Sequence, residues 1–290
     1  MAKIDKSQYT KEEWHKIRAE RRRKKEEDRQ RKELEQRIKA QKSVKPATNL
    51  PQKSVEHKNY VVCLKWGNKY GADYVNKLYN MVSRNLTIPF EFVCFTENPR
   101  GIDENVKIMP LPSIKNVTGW WYKPMFFDKN LPLKGTILFM DLDVIVFENI
   151  DKLFTYEPGR FCIIRDFNRS LRRDWKRMNS SVFRLDVGSM PHIYDDFILT
   201  PDAHIRRLHG DQDWIYVKSK DTDYVFWPDD WIQSYKWEMR DRRELQKING
   251  RRNFPRSGDP IVKKDTSIAV FHGEPYPHEV PDQWCKDNWK

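Results

Sequence analysis

Thr136-Ile137-Leu138-Phe139-Met140-Asp141-Leu142-Asp143-Val144-Ile145-Val146-Phe147 is the stretch whose reading decides the fold. Apolar and β-branched residues run into two carboxylates one residue apart, and apolar residues then resume. A run this short and this apolar predicts a strand buried on both faces, as in a parallel sheet. Open α/β sheets place ligands at the carboxyl ends of their strands. Strand side chains alternate, so Asp141 and Asp143 share one side while Leu142 returns to the core. Two carboxylates on one side repel unless a positive charge lies between them. Mg²⁺ or Mn²⁺ holding a substrate diphosphate suits such oxygen ligands. The plainer alternative is a strand-to-turn transition with two solvated carboxylates. Asp211-Gln212-Asp213 and Asp221-Thr222-Asp223 repeat the triplet, but neither follows a buried-strand pattern.

Charge is distributed unevenly around this centre. The 290-residue chain carries a formal net charge of +12. Residues 1–58 hold 19 Lys/Arg against 10 Asp/Glu, a net of +9, which leaves only +3 for the remainder. The basicity therefore belongs to the amino-terminal segment. Thr10-Lys11-Glu12-Glu13 has the pattern of a capping box, and good helix formers follow it. Apolar residues are too sparse there for a coiled coil. A solvated, partly helical or disordered tail is one reading. Attachment to an anionic partner through Arg21-Arg22-Arg23-Lys24-Lys25 is the other. Pro46 and Pro51 mark residues 43–58 as a linker, so the domains expected are 1–58 and 59–290.

Cys63, Cys94 and Cys162 sit in apolar runs, and no CxxC spacing suggests zinc or redox chemistry. No apolar run reaches membrane-spanning length, and no signal-peptide core is visible at the amino terminus. A cytoplasmic protein with reduced thiols is the expectation.

From residue 59 the periodicity alternates between strand and helix. Tyr60-Val61-Val62-Cys63-Leu64 predicts a first strand, residues 72–85 a helix, and residues 90–95 and 106–109 two more strands. Residues 119–130 predict a short helix restricted by Pro124. Further strands are expected at 161–166, 181–185, 224–227 and 267–271, with a helix at 190–199. Residues 241–264, rich in arginine, read as a long polar loop. The alternation specifies an α/β fold.

Taken in order, the motifs resemble those of a known family. They are the aromatic loop at 65–70, Trp121-Tyr122-Lys123-Pro124-Met125-Phe126, Asp141-Leu142-Asp143, Asn179-Ser180-Ser181-Val182-Phe183, Asp211-Gln212-Asp213 and Phe271-His272-Gly273-Glu274-Pro275. Over residues 59–280 the chain resembles glycosyltransferases of the GT-A fold, in particular family 8, the glycogenin and galactosyltransferase-like group. The resemblance implies a Rossmann-like, mixed but mostly parallel sheet flanked by helices. It implies a retaining transfer of a hexose from a nucleotide sugar, commonly UDP-linked, to a hydroxyl of a glycan, protein or small molecule. It implies Asp141, Asp143 and His272 as ligands of Mn²⁺ (or Mg²⁺), and donor contacts from Lys65, Trp66, Tyr70, Lys123, Asp141 and Gly273. Asp211 and Gln212 match the pair beside the sugar and acceptor, with Asp166 and Asp186 as further candidates there. Trp227-Pro228-Asp229-Asp230-Trp231 offers acceptor contacts or core packing.

One departure matters. Glu274 stands near where the family places a phosphate-binding lysine, and Lys263, Lys264 or an arginine of 241–256 is the expected substitute. A nucleotidyltransferase, or an inactive glycosyltransferase-like scaffold acting through its basic tail, are the rival readings. The first lacks support because Lys65-Trp66-Gly67-Asn68 is not a Gly-rich phosphate loop.

Overall fold

Met140 and Val144 belong to different sheets. The structure is a computed structural model that describes Thr10, residues 58–240, 246–248, 251–253 and 259–290. The chain divides into residues 1–54 and 55–290, and every described residue except Thr10 falls in the second unit. The expected tail helix and the basic run at 21–25 lie outside the described residues, as does the linker up to Lys58.

The main sheet has seven strands: β1 (Lys58–Lys65), β2 (Glu91–Thr96), β3 (Lys107–Met109), β4 (Gly135–Met140), β6 (Phe161–Arg165), β7 (Met178–Asp186) and β8 (Tyr224–Phe226). Their order is β3-β2-β1-β4-β7-β6-β8. All pairings are parallel except those of β7, which runs antiparallel to both β4 and β6. A second sheet of three short strands has the order β5-β12-β9, with β5 at Val144–Val146, β9 at Ile232–Ser234 and β12 at Ile268–Val270. The single strand expected over 136–147 is thus two strands, and Asp141-Leu142-Asp143 is the crossing between their sheets.

Alternation along β4 explains why the main sheet is covered on both faces. Leu138 and Met140 join one apolar cluster with Val61, Cys63, Cys94 and the helix α1 (Ala72–Asn85). Ile137 and Phe139 join another with Phe126, Phe127 and Phe183. In the second cluster the Phe139 and Phe183 rings stack with centroids 4.8 Å apart. A 3-10 helix at Gly119–Phe127 supplies Phe126 and Phe127, a tighter form than the helix expected, consistent with the Pro124 restriction. The helices α3 (His192–Phe197), α4 (Pro201–Arg207) and α5 (Asp211–Ser219) follow β7. The polar stretch expected to be a loop contains β10 (Gln246–Ile248) paired antiparallel with β11 (Arg251–Asn253). A terminal helix α6 (Gln283–Asn288) is capped by Asp282, whose side chain accepts from the Cys285 N–H at 2.9 Å. All four cysteines are free and buried. Among the described residues no helix is long and apolar enough to cross a membrane.

One buried charge lies in the fold away from the sheet crossing. Arg184 of β7 is 1% exposed. Its guanidinium donates to the carbonyls of Leu153, Phe154 and Tyr156 through Nη1, and of Glu157 and Arg160 through Nη2, at 2.5–3.1 Å. These carbonyls lie in and after the short helix α2 (Asp151–Thr155). Helix ends leave carbonyls without intrahelical partners and carry partial negative charge. Arg184 satisfies both needs from within the core.

Candidate functional site

Strand directions bring the site together. Antiparallel β7 sets Val182 opposite Met140, so the start of β7 reaches the carboxyl end of β4. The Asp141 N–H donates to the Ser181 carbonyl at 2.8 Å. In the second sheet, Val144, Val270 and Ser234 share one register. The residues before β5, after β12 and after β9 therefore meet at one edge. Asp143, His272-Gly273 and Lys236 come from those three segments.

Lys123 is the buried cation at the centre, 5% exposed. Its Nζ lies 2.8 Å from Asp141 Oδ1 and 3.6 Å from Asp211 Oδ2. It also lies 3.3 Å from both the carbonyl and the Oγ of Ser180. Ser180 Oγ donates to Asp211 Oδ2 at 2.6 Å. Burial alone would lower the ammonium pKa, but Asp141 and Asp211 outweigh it and hold it above its ordinary value. The Asp141 carboxyl is pushed up to about 6 by burial, with Lys123 opposing and Asp143 and Asp211 adding to the rise.

Asp143 Oδ2 accepts from Tyr70 Oη at 3.1 Å and from the Gly273 N–H at 3.2 Å. Burial and then the two aspartates push the Tyr70 phenol well up, so it stays protonated and donates. Gly273 has φ +92°, a conformation that side chains resist, and this lets its N–H face Asp143.

A cavity of about 430 Å³ opens over these groups. Leu64, Trp66, Lys69, Tyr70, Trp120 and Lys123 line it together with residues 141–143. The arrangement fits a divalent cation in part. Three carboxylates surround one buried ammonium, and Asp141 and Asp143 offer hard oxygen donors of the kind that share Mg²⁺ or Mn²⁺ with substrate phosphates and water. His272 does not join them. Its backbone is left-handed at φ +39°, its ring stacks on Phe167 at 5.2 Å and meets Trp237 edge-on at 4.9 Å. Its Nε2 shares a 2.6 Å hydrogen bond with Ser234 Oγ. Burial, with the Lys236 charge adding to it, pushes the imidazole down to about 3, so the ring is neutral. Among the described residues no three His, Cys, Asp or Glu side chains gather closely enough to cage a metal.

The other expected residues divide. Trp66 and Tyr70 line the cavity, Trp66 edge-on to Trp120 with centroids 6.2 Å apart. Lys65 does not line it; its Nζ turns to the Asn98 carbonyl at 3.3 Å, because alternation along β1 sends its side chain the other way. Asp211 is consumed by Lys123 and Ser180. Gln212 lies 3.5 Å from Asn179 Nδ2 and lines an adjoining cavity. Asp166 caps a 3-10 helix by accepting from the Asn168 N–H at 3.0 Å and also accepts from Trp175 Nε1 at 2.8 Å. Asp186 is paired opposite Thr136, at the far end of β4 from the carboxylates. In the cluster at 227–231, Trp227 is buried and Asp229 pairs with Arg165 and Arg169, so that cluster is packing.

Lys263 binds Asp230 at 2.5 Å on the surface. The cation near Glu274 is instead Lys236, 8% exposed. Its Nζ donates to the carbonyls of His272 at 3.1 Å and Glu274 at 2.6 Å. Burial brings it down to about 8, while Asp143 and Glu274 pull it back up. Sequence reading missed Lys236 because β9, three residues long, carries no usable periodicity; the signal was a lysine just after Ile232-Gln233-Ser234.

Neither a protein-family profile nor a curated protein sequence matches the chain. Solved structures do match in shape. An active-site mutant of LgtC aligns with a TM-score of 0.51 at 11% identity, over 79% of this chain and 93% of that one. The bifunctional glycosyltransferase WbbM aligns with a TM-score of 0.50 at 11% identity, over 80% of this chain and 48% of that one. The glycosyltransferase GlyE of Streptococcus pneumoniae gives 0.49 at 14% identity, over 62% of this chain and 48% of that one. The chain thus spans about half the length of WbbM and of GlyE. The fold is that of the GT-A glycosyltransferases: a mostly parallel seven-stranded sheet flanked by helices.

Proposed function

We propose that this protein is a glycosyltransferase that moves a hexose from a nucleoside diphosphate sugar, UDP-linked, to an acceptor hydroxyl, with retention at the anomeric carbon. The observation that carries this reading is the sheet crossing. It sets Asp141, Asp143 and Lys123 around one cavity at the carboxyl end of β4, with Trp66 and Tyr70 at its wall. Aromatic faces there suit a nucleobase, and the charged floor suits a diphosphate.

Asp141 and Asp143 would hold the divalent cation, Mn²⁺ or Mg²⁺, together with phosphate oxygens; bound there, it supplies Lewis-acid stabilisation of the leaving diphosphate. Tyr70 and the Gly273 N–H fix the Asp143 carboxylate by donating to it. Lys123 keeps Asp141 and Asp211 ionised and in place. His272 acts through its backbone turn, which presents the Gly273 N–H. Lys236 has used two of its three N–H donors among the described residues, and the third is assigned to the departing phosphate. Preorganised cations aimed at charge that grows in the transition state are an effective form of catalysis. Gln212 is placed beside the sugar and acceptor.

The test is thermal unfolding with UDP in the presence and absence of Mn²⁺, followed by a screen of nucleotide sugars for hydrolysis. A melting temperature raised by UDP only with metal, and hydrolysis of a UDP-hexose, are expected. Absence of any metal-dependent shift at saturating UDP removes the reading. Lys236→Met should lower kcat by on the order of 10²-fold, the size found for single oxyanion donors. Steady-state kinetics with the hydrolysed donor check this, and a kcat within threefold of wild type would return the phosphate role to other residues.

A further inference from the structure

Trp120 is flanked by Gly119 and Trp121, both buried, yet it is 44% exposed. Its indole is held edge-on to Trp66. On its other side stands Gly210, where a Cβ would come within 3.6 Å of Trp120 Nε1. The indole is therefore positioned from both sides while much of its surface faces solvent.

Trp120 is also the one residue that lines both cavities of this region. The first is the cavity over Asp141 and Asp143. The second, also about 430 Å³, is lined by Trp120, His209, Gly210, Asp211, Gln212 and Asp213. The Lys123–Asp211 ion pair ties the charged groups of the two cavities together. Two carboxylates of the second cavity are already engaged: Asp211 by Ser180 and Lys123, and Asp213 by Arg177 at 2.9 Å. The Gln212 amide and the His209 imidazole remain as polar groups for a ligand. An exposed aromatic face beside neutral hydrogen-bonding groups suits a ligand with one apolar face and a rim of hydroxyls, which describes a pyranose ring.

The geometry points to the second cavity as the acceptor site, with Trp120 as the platform on which the ring of an acceptor saccharide stacks. This rests on the glycosyltransferase reading above and adds the class of acceptor and the residue that selects it. Placing the acceptor across Trp120 from the donor cavity brings its hydroxyl towards the sugar beside Gln212.

Saturation-transfer NMR tests this with full-length protein, UDP and Mn²⁺, using methyl β-D-glucopyranoside, methyl β-D-galactopyranoside and methyl α-D-mannopyranoside as probes. Wild-type protein should saturate the ring C–H protons of at least one glycoside. Trp120→Ala should bind that glycoside about tenfold more weakly, the order expected for loss of an aromatic face. Trp120→Phe should restore most of the signal, and melting temperatures confirm that both variants fold. Wild-type protein that binds UDP but saturates no glycoside overturns the acceptor site and leaves the donor reading intact. Equal glycoside signals from wild type and Trp120→Ala overturn it too, as does a parallel loss of UDP and glycoside signals in Trp120→Ala. Absence of UDP binding by the wild type instead defeats the donor reading itself.

Discussion

Asp143→Ala is expected to reduce turnover of a UDP-hexose by about 10³-fold or more, equivalent to roughly 4 kcal/mol of transition-state stabilisation. The Asp143 carboxylate is where both sheets converge. Tyr70 and the Gly273 N–H donate to it, and its backbone carbonyl accepts from the Phe271 N–H at 3.0 Å. Alanine removes the charge and orphans the two side-chain-directed donors. Asp143→Asn separates these effects, because an amide oxygen still accepts while the negative charge is gone. The asparagine variant should melt within a few degrees of wild type yet lose most of the turnover, with UDP no longer stabilising it in a metal-dependent way. Turnover of either variant within threefold of wild type would remove Asp143 from the site.

Arg184→Met should destabilise the fold by more than about 4 kcal/mol, the range reserved for lost buried networks. Methionine fills much of the volume, so packing alone would cost little. What it cannot do is donate to the five carbonyls that the guanidinium now serves. Each buried acceptor left without a partner costs on the order of 1–3 kcal/mol. Arg184→Lys should fall between, since an ammonium has three donors and lacks the planar fork. Urea unfolding measures both, and if the methionine variant fails to accumulate, the lysine variant still reports. A methionine variant within 1 kcal/mol of wild type would show that those carbonyls find other partners.

The two residues differ in how visible they were. Asp143 follows a strongly apolar run, so its position was legible from composition and alternation. Arg184 interrupts the apolar run of β7, and nothing local reveals that its partners lie about 25–30 residues upstream. Helix α1 was legible to the residue because its buried positions Tyr74, Val75, Leu78, Met81 and Val82 recur at helical spacing. Helix α4 buries no residue at all, so it carries no apolar period to read. Strand β9 is too short for alternation to register, and with it went Lys236, the cation that stands beside Glu274.

The second sheet shows where local reading stops. Residues 144–146 look like a continuation of β4, since nothing in their own chemistry marks a change of partner. The change is enforced by β12, which pairs with β5 on one side and β9 on the other. That pairing joins segments more than 120 residues apart. Loss of the expected His272 ligand has the same origin. A histidine at the end of a strand can point to either side, and packing between Phe167 and Trp237 chose the side towards Ser234.

By itself the sequence determined the layered α/β fold, the buried strand β4 and the two carboxylates at its end. Those features depend on alternation, helical period and charge within a few residues, which local chemistry decides. The tertiary structure alone decided that Asp141 and Asp143 straddle two sheets, that Lys123 and Lys236 are the cations beside them, and that Trp120 stands between two cavities. Those depend on which strand pairs with which, and strand pairing is settled by burial across the whole chain.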